Sequence, residues 1–378
     1  MDWTRGGKRF VLVLLVISGS VATRGRASVW ADELKARPEV RIRGVYGGVP
    51  ASLLEEGKDP EETGINAVWV GSGSLKSTPI EALKKKGLKV FAEFNTMHHA
   101  SYLTEHPDAR PIGVDGKPCP PPDGWQGVCP TDPGYREERM EAFRTALADH
   151  EIDGIWLDYH HAHASWEQAQ PKLPDTCFCP RCLNQFEHES GMKLLAESTP
   201  EKAKELLGPL NEVWVDWRCG VFTDWVRQFR EIRDEVRPEA LLGTFHCPWP
   251  DDVRDGAMKR KLAIDLKAQA PYLDVFSPMP YHARFGHGDD VAWISRQSAW
   301  LGRLLDVKGT PEDRIKIWPI IQLSNWGDPP VPPAQVAEAI DHGTRSPSTG
   351  VTVFNWNSLK DDEEKVEQMI KSYKTIRP

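Results

Sequence analysis

From residue 40 onward the chain repeats one pattern, a short β-branched apolar run followed by an amphipathic stretch of helical period. The runs fall at residues 40–45, 66–70, 89–94, 154–158, 241–245, 273–277, 316–322 and 350–354. Helical patterns lie between them, among them 80–86, 135–150, 215–236, 333–342 and 361–373. Several runs are almost continuously apolar, as strands buried on both faces of a parallel sheet must be. Eight such units predict an α/β fold, a (β/α)8 TIM barrel forming one domain over residues 23–378. An open doubly wound sheet is the other way to arrange the units. It loses its main support because no glycine-rich dinucleotide fingerprint follows the first run. The two longest connections, residues 95–133 and 159–212, leave the third and fourth strands at their C-terminal ends. That is the rim on which barrel enzymes build their sites.

The first 22 residues stand outside this rhythm. Arg5, Lys8 and Arg9 precede an apolar run at 10–17, and Ser20-Val21-Ala22 offers small residues for a peptidase. This reads as a secretory signal peptide, too short in its apolar part to span a bilayer, and predicts an exported chain, periplasmic or extracellular. No other stretch suits a membrane helix. A net charge of −8 and a pI near 5.9 argue against nucleic acid as a partner. Oligomeric state leaves no signature. Fifteen tryptophans suit either a sugar-binding cleft or ordinary core packing.

Seven cysteines in an exported chain cannot all pair with one another. Cys177-Phe-Cys179-Pro-Arg-Cys182 puts three thiols within six residues. One reading is a disulfide. The other is a structural zinc needing a fourth ligand, with Cys129 in the other long loop as the candidate and His161 and His163 in reserve. A thiolate-only zinc has no open position for water and is structural. No organic cofactor is indicated.

The stretch Gly127-Val-Cys129-Pro-Thr-Asp-Pro-Gly-Tyr135-Arg, then the fourth strand, then Cys177-Phe-Cys-Pro-Arg-Cys182-Leu-Asn-Gln-Phe186 resembles the zinc-cluster segment of family-42 β-galactosidases. That resemblance implies Cys129, Cys177, Cys179 and Cys182 as the ligands of one zinc. It does not extend to the chemistry. Where that family has Asn-Glu after its fourth strand this chain has Leu157-Asp158-Tyr159-His160, and its seventh strand runs into Gln322-Leu-Ser-Asn325-Trp326 rather than a nucleophilic Glu. The chain as a whole resembles uncharacterised glycoside-hydrolase-like barrels, through Asp153-Gly-Ile-Trp-Leu-Asp158 and Asp274-Val-Phe-Ser-Pro278-Met-Pro-Tyr281-His282. This implies a sugar-processing barrel.

The residues themselves supply candidates for the reaction. Asp158 ends a buried strand, where a carboxylate is costly unless it faces the barrel mouth. There it suits attack on an anomeric carbon, giving a retaining glycosidase with Asp158 as nucleophile. A second carboxyl must protonate the leaving oxygen, and Glu93 and Asp252 are the candidates. The other strand ends carry groups that bind sugars: Tyr46, Asn95, His98, His160, His161, His246, Trp249, Tyr281, His282, Asn325, Trp326, Asn355 and Trp356. The expectation is an exported glycoside hydrolase acting on a glycan or oligosaccharide. Two alternatives stand beside it. One is a barrel that binds carbohydrate without cleaving it. The other is a metal-dependent hydrolase or isomerase using His98-His99 and His160-His161-x-His163.

Overall fold

The computed structural model describes residues 38–376. The signal-peptide segment, residues 1–22, lies outside the described residues. Nine strands form one all-parallel sheet: β1 Ile42–Tyr46, β2 Ala67–Gly71, β3 Lys89–Asn95, β4 Gly154–Asp158, β5 Leu241–His246, β6 Val275–Pro278, β7 Lys316–Ile317, β8 Ile320–Gln322 and β9 Gly350–Phe354. Their order is β7-β6-β5-β4-β3-β2-β1-β9-β8. β7 and β8 are two halves of one barrel strand, broken at Trp318-Pro319 because proline has no N–H for the ladder. Ile317 pairs with Phe276 of β6 on one side and bridges Ser348 on the other, so the sheet closes into the expected (β/α)8 barrel. The predicted seventh strand, residues 316–322, is therefore correct in place and wrong in continuity.

The larger helices are α1 Ser77–Lys85, α2 Pro133–Asp149, α3 Pro180–Ser190, α4 Thr199–Leu207, α5 Asn211–Val236, α6 Trp293–Leu305, α7 Val336–Gly343 and α8 Glu363–Thr375. Local chemistry fixes their starts. Asp132 caps α2, its Oδ1 accepting from the Tyr135 N–H at 2.9 Å, with Pro133 at the first helical position. α3 begins the same way, Cys179 Sγ accepting from the Cys182 N–H at 3.4 Å ahead of Pro180, and it stops at Gly191 in the left-handed conformation. Among the described residues, no helix is long and apolar enough to cross a membrane.

The barrel interior is filled by indoles rather than by branched aliphatics. Trp69 packs on Phe91 with ring centroids 4.5 Å apart, and Trp156 stacks on Trp318 at 5.8 Å. Two glycines make this possible. A Cβ on Gly44 would lie 2.2 Å from the Trp69 ring, and one on Gly243 2.2 Å from Trp156. Trp156 also donates to Ser277 Oγ at 3.0 Å, which settles its one polar atom. Trp69, Trp156, Trp214 and Trp225 are fully buried, so these tryptophans are scaffold and not sugar platforms. Phe91, Glu93 and Asn95 of β3 alternate inward with Trp156 and Asp158 of β4, and this alternation carries two carboxyls above the indole plug.

The long loop after β4 builds a second, smaller core. Phe178, Leu183, Phe186, Ala203, Leu206 and Trp214 pack around Cys129, Cys177, Cys179 and Cys182.

Candidate active site

Asp158 sits at the tip of β4 and is 8% exposed. Its Oδ1 accepts from the N–H of Tyr159 at 2.8 Å. Tyr159 has φ +51°, a left-handed conformation that costs a bulky residue about 1–2 kcal/mol. The turn folds the backbone N–H back onto the carboxylate and brings the Tyr159 ring within 5.3 Å of His98. Thr96 holds the strand end from the other side, its N–H and hydroxyl both donating to the Asp158 carbonyl, at 2.9 and 2.8 Å.

Glu93 lies one pleat deeper on β3, in register with Trp156, while Asn95 is in register with Asp158. Its Oε2 would be 3.4 Å from a Cβ on Gly71, so the carboxyl leans towards the end of β2. Burial, together with the negative charge of Asp158, pushes its pKa well up, and Arg139 opposes this. Burial raises Asp158 too, against the pull of the Tyr159 hydrogen bond.

The sequence reading missed a third carboxyl, Glu167. Burial raises its pKa to about 8, the Asp158 charge adds to the rise and Arg284 opposes it. It stands in a tight antiparallel loop closed by Ser165 and Lys172, whose N–H and carbonyl groups exchange two 2.9 Å bonds. Three neighbouring loops clamp this turn. Arg284 Nε donates to the Glu167 carbonyl at 2.7 Å and Arg254 to the Ala169 carbonyl at 2.8 Å, while Gln168 and Lys172 reach Asp123. Nothing in the period of residues 159–176 marks Glu167, because such a loop has no alternation to read.

Aromatic rings form the walls. Tyr46 stacks on Phe354 at 5.5 Å and meets Phe245 edge-on at 5.6 Å. Tyr281 packs on Phe354 at 4.9 Å, and its buried hydroxyl has no hydrogen-bond partner among the described residues. Burial leads the large upward shift of the Tyr46 and Tyr281 phenols, with the charges of Asp158 and Glu167 adding to it. Trp326 lies beside them with the Arg284 guanidinium 4.6 Å from its ring centre. On the opposite side Trp125 stacks on His98 at 5.5 Å and on His161 at 4.9 Å.

Several predicted residues lie elsewhere. Asp252 is exposed in a turn, whereas Glu167 is near enough to Asp158 for that charge to add to its upward shift. His246 follows the inward Phe245, so strand alternation turns it outward onto Phe276, with Nδ1 bonded to the Cys247 carbonyl at 2.8 Å. His160 points at α5, its Nε2 2.9 Å from the Phe222 carbonyl. His282 is buried against Gln335 at 3.3 Å. Asn325 is exposed and accepts from Lys365 of α8 at 2.6 Å. Asn355 spends its side-chain oxygen capping the short helix Trp356–Leu359, accepting from the Ser358 N–H at 2.9 Å. Asn95 spends its amide on both backbone groups of His98, at 2.8 and 3.0 Å, and so shapes the rim. Trp249 is buried behind the Glu167 loop, against Trp166 and Phe285. Trp356 is half-buried beside Gly48.

The histidine pairs do not converge either. His99 faces Glu138 at 3.5 Å, His161 Nδ1 lies 2.7 Å from the Ala162 carbonyl, and His163 lies between the Gly127 N–H and the Pro120 carbonyl, at 3.0 Å from each. Among the described residues, the group of three or more potential metal ligands brought within 4.8 Å is Cys129, Cys177, Cys179 and Cys182. The histidine-based metal enzyme therefore loses its geometric basis.

The cysteine cluster fits a tetrahedral ion. All four thiols are buried and free, with Cys129 Sγ 3.6 Å from Cys179 Sγ and 3.5 Å from Cys182 Sγ. Bonds of ~2.3 Å at tetrahedral angles require sulfur separations of ~3.8 Å. The groups around the sulfurs suit thiolates. The Ile112 N–H donates to Cys177 Sγ at 3.2 Å, and Thr131 Oγ1 lies 3.2 Å from Cys182 Sγ. No disulfide joins these residues, so the disulfide reading is set aside.

Solved structures with the same architecture carry glycoside hydrolase names. The chain superposes on the PgaB (BpsB) glycoside hydrolase domain from Bordetella bronchiseptica with TM-score 0.62 at 13% identity, covering 89% of this chain and 99% of that one. The fold, a (β/α)8 barrel, is the one this glycoside hydrolase domain has. The catalytic domain of a β-amylase from Paenibacillus polymyxa gives TM-score 0.58 at 12% identity, over 91% and 100% of the two chains. A GH42 β-galactosidase from G. stearothermophilus gives 0.59 at 13%, over 88% of this chain and 56% of that one. The chain thus spans little more than half of that β-galactosidase. No protein-family model and no curated protein sequence matches the chain.

Proposed function

We propose that this glycoside-hydrolase-like barrel cleaves a glycosidic bond in a glycan or oligosaccharide, with Asp158 as the nucleophile of a retaining reaction. One observation carries the proposal: the fold gathers carboxyls from β3, from β4 and from the loop after β4 at one aromatic-lined mouth, and all three are shifted towards neutrality. Burying several acids together is costly, and a barrel gains no stability from it. Glycoside cleavage needs this arrangement, because one carboxyl must be ionised to attack while another stays protonated to donate. The Tyr159 N–H favours the ionised form at Asp158 against the rise that burial causes, which supports it as the member that attacks. Aromatic faces at Trp326, Trp125 and Tyr46 suit the apolar face of a pyranose.

The ion that best fits the four thiols is zinc. It would be held by Cys129, Cys177, Cys179 and Cys182 and would supply no reaction chemistry, only a tie between the two long loops. Export through residues 1–22 belongs to the same proposal and places the substrate outside the cytoplasm.

The test is a panel of aryl glycosides and oligosaccharides offered to the wild type and to Asp158→Asn. The proposal expects turnover by the wild type, a loss of 10⁴-fold or more on the order of a removed nucleophile in the variant, and sugar binding retained by calorimetry. Equal turnover by both proteins would refute it, as would binding without hydrolysis by the wild type.

A further inference from the structure

Resting on the glycosidase reading above, we infer that Glu167 is the proton donor to the departing oxygen, and that Glu93 is a deeper positioning group. Three observations separate the two. The first is depth. Glu93 is in register with Trp156 and leans towards Gly71, about 6–7 Å below the level of Asp158, as two residues of strand require. A leaving group departs through the mouth and cannot pass beneath the nucleophile. The second is placement. Glu167 belongs to the loop that follows β4, and Arg284, which donates to its carbonyl at 2.7 Å, also lies over the Trp326 ring, so the loop borders the mouth beside Trp326. The Glu167 charge there adds to the rise that burial gives the Tyr281 phenol, whereas Tyr46 and Tyr159 feel both Glu167 and Glu93. The third is construction. The four bonds made by Arg284, Arg254 and Asp123 fix the turn between Ser165 and Lys172 and so hold the backbone of Glu167 in one place at the rim.

The reaction runs in two halves. An Asp158 oxygen bonds to the anomeric carbon, the glycosidic C–O bond breaks, and its electron pair goes to the leaving oxygen, which takes the proton of Glu167. In the second half a water oxygen bonds to the anomeric carbon, Glu167 accepts the water proton, and the Asp158 ester bond breaks to return the carboxylate. Arg284 sits close enough to Glu167 to keep its pKa from rising further, which suits a group that must give and then take a proton near neutrality.

The experiment uses Glu167→Gln and Glu93→Gln in the full chain, with 2,4-dinitrophenyl and phenyl glycosides of glucose, galactose, N-acetylglucosamine, xylose and fucose. Dinitrophenolate leaves without a proton; phenolate does not leave readily. The inference expects Glu167→Gln to lose 10²–10⁴-fold on the phenyl glycoside, to keep formation of the glycosyl-enzyme on the dinitrophenyl one, and to yield a glycosyl azide when azide is added. Equal losses on both leaving groups, or no loss, would overturn the assignment. So would the same leaving-group signature appearing in Glu93→Gln instead. Should the wild type cleave none of the ten glycosides, or Asp158→Asn cleave as fast as the wild type, the glycosidase reading itself falls and the inference with it.

Discussion

Glu93→Gln should make the protein more stable at neutral pH and leave it unchanged in acid. Burial and the neighbouring Asp158 charge push Glu93 up to about 8 from an ordinary 4.5. In the native state it therefore holds a proton at pH values where the unfolded chain has released it. Stability from this group is fully present below pH ~4.5 and is lost as the pH climbs through the folded value near 8. At 1.36 kcal/mol per pH unit the whole range corresponds to roughly 4–5 kcal/mol. Part of that belongs jointly to Glu93 and Asp158, and part is screened at the open mouth. About 2 kcal/mol remains for the substitution, or about 3 °C in Tm for a domain of this size. Gln matches the shape and stays neutral, so it escapes the penalty. The assay is urea or thermal unfolding of both proteins from pH 4 to pH 9. The difference should be near zero at pH 4, open between pH 5 and pH 8, and level off above. A flat difference across that range, or a variant less stable at pH 8 than the wild type, would refute a raised carboxyl beside Asp158.

Two further outcomes follow from the geometry. Cys129→Ser should lower bound zinc from about one ion per chain to near none, and should lower both Tm and activity by loosening the loops that carry Trp125 and Glu167; metal analysis and unfolding curves would show it, and full zinc content in the variant would contradict it. His160→Ala should cost about 2–4 kcal/mol of stability, since a buried ring bonded to Phe222 is lost, yet leave KM unchanged; a raised KM at unchanged stability would return His160 to the mouth.

The barrel was legible because its strands carry their own signal. Runs such as Gly154–Asp158 are apolar, bounded and spaced by helical patterns, and the closing of the sheet follows from their number. The break at Trp318-Pro319 was also written in the sequence, since proline cannot serve a central strand, and it passed unread within a longer apolar run. Asp158 and Glu93 were legible for the same reason as the fold, being carboxyls in strands where burial demands an explanation. The sugar-binding list fared worse. Proximity to a strand end does not tell which side of the wall a side chain takes, and alternation sends Phe245 in and His246 out. Amides at Asn95 and Asn355 look like ligand contacts in the sequence, whereas in the fold they bond backbone groups of their own turns. Glu167 was invisible because its position depends on Arg254 and Arg284, which lie about a hundred residues further along the chain. The cysteines were legible because spacing and residue type alone restrict what three thiols in six residues can do.

The most direct test of the account is to trap the sugar on the protein. A 2-deoxy-2-fluoro glycoside with a dinitrophenyl leaving group slows release of the intermediate, and peptide mass spectrometry then locates the adduct. The account predicts one glycosyl ester, on Asp158. An adduct on Glu93 or Glu167, or a product of inverted anomeric configuration with no adduct at all, would contradict it.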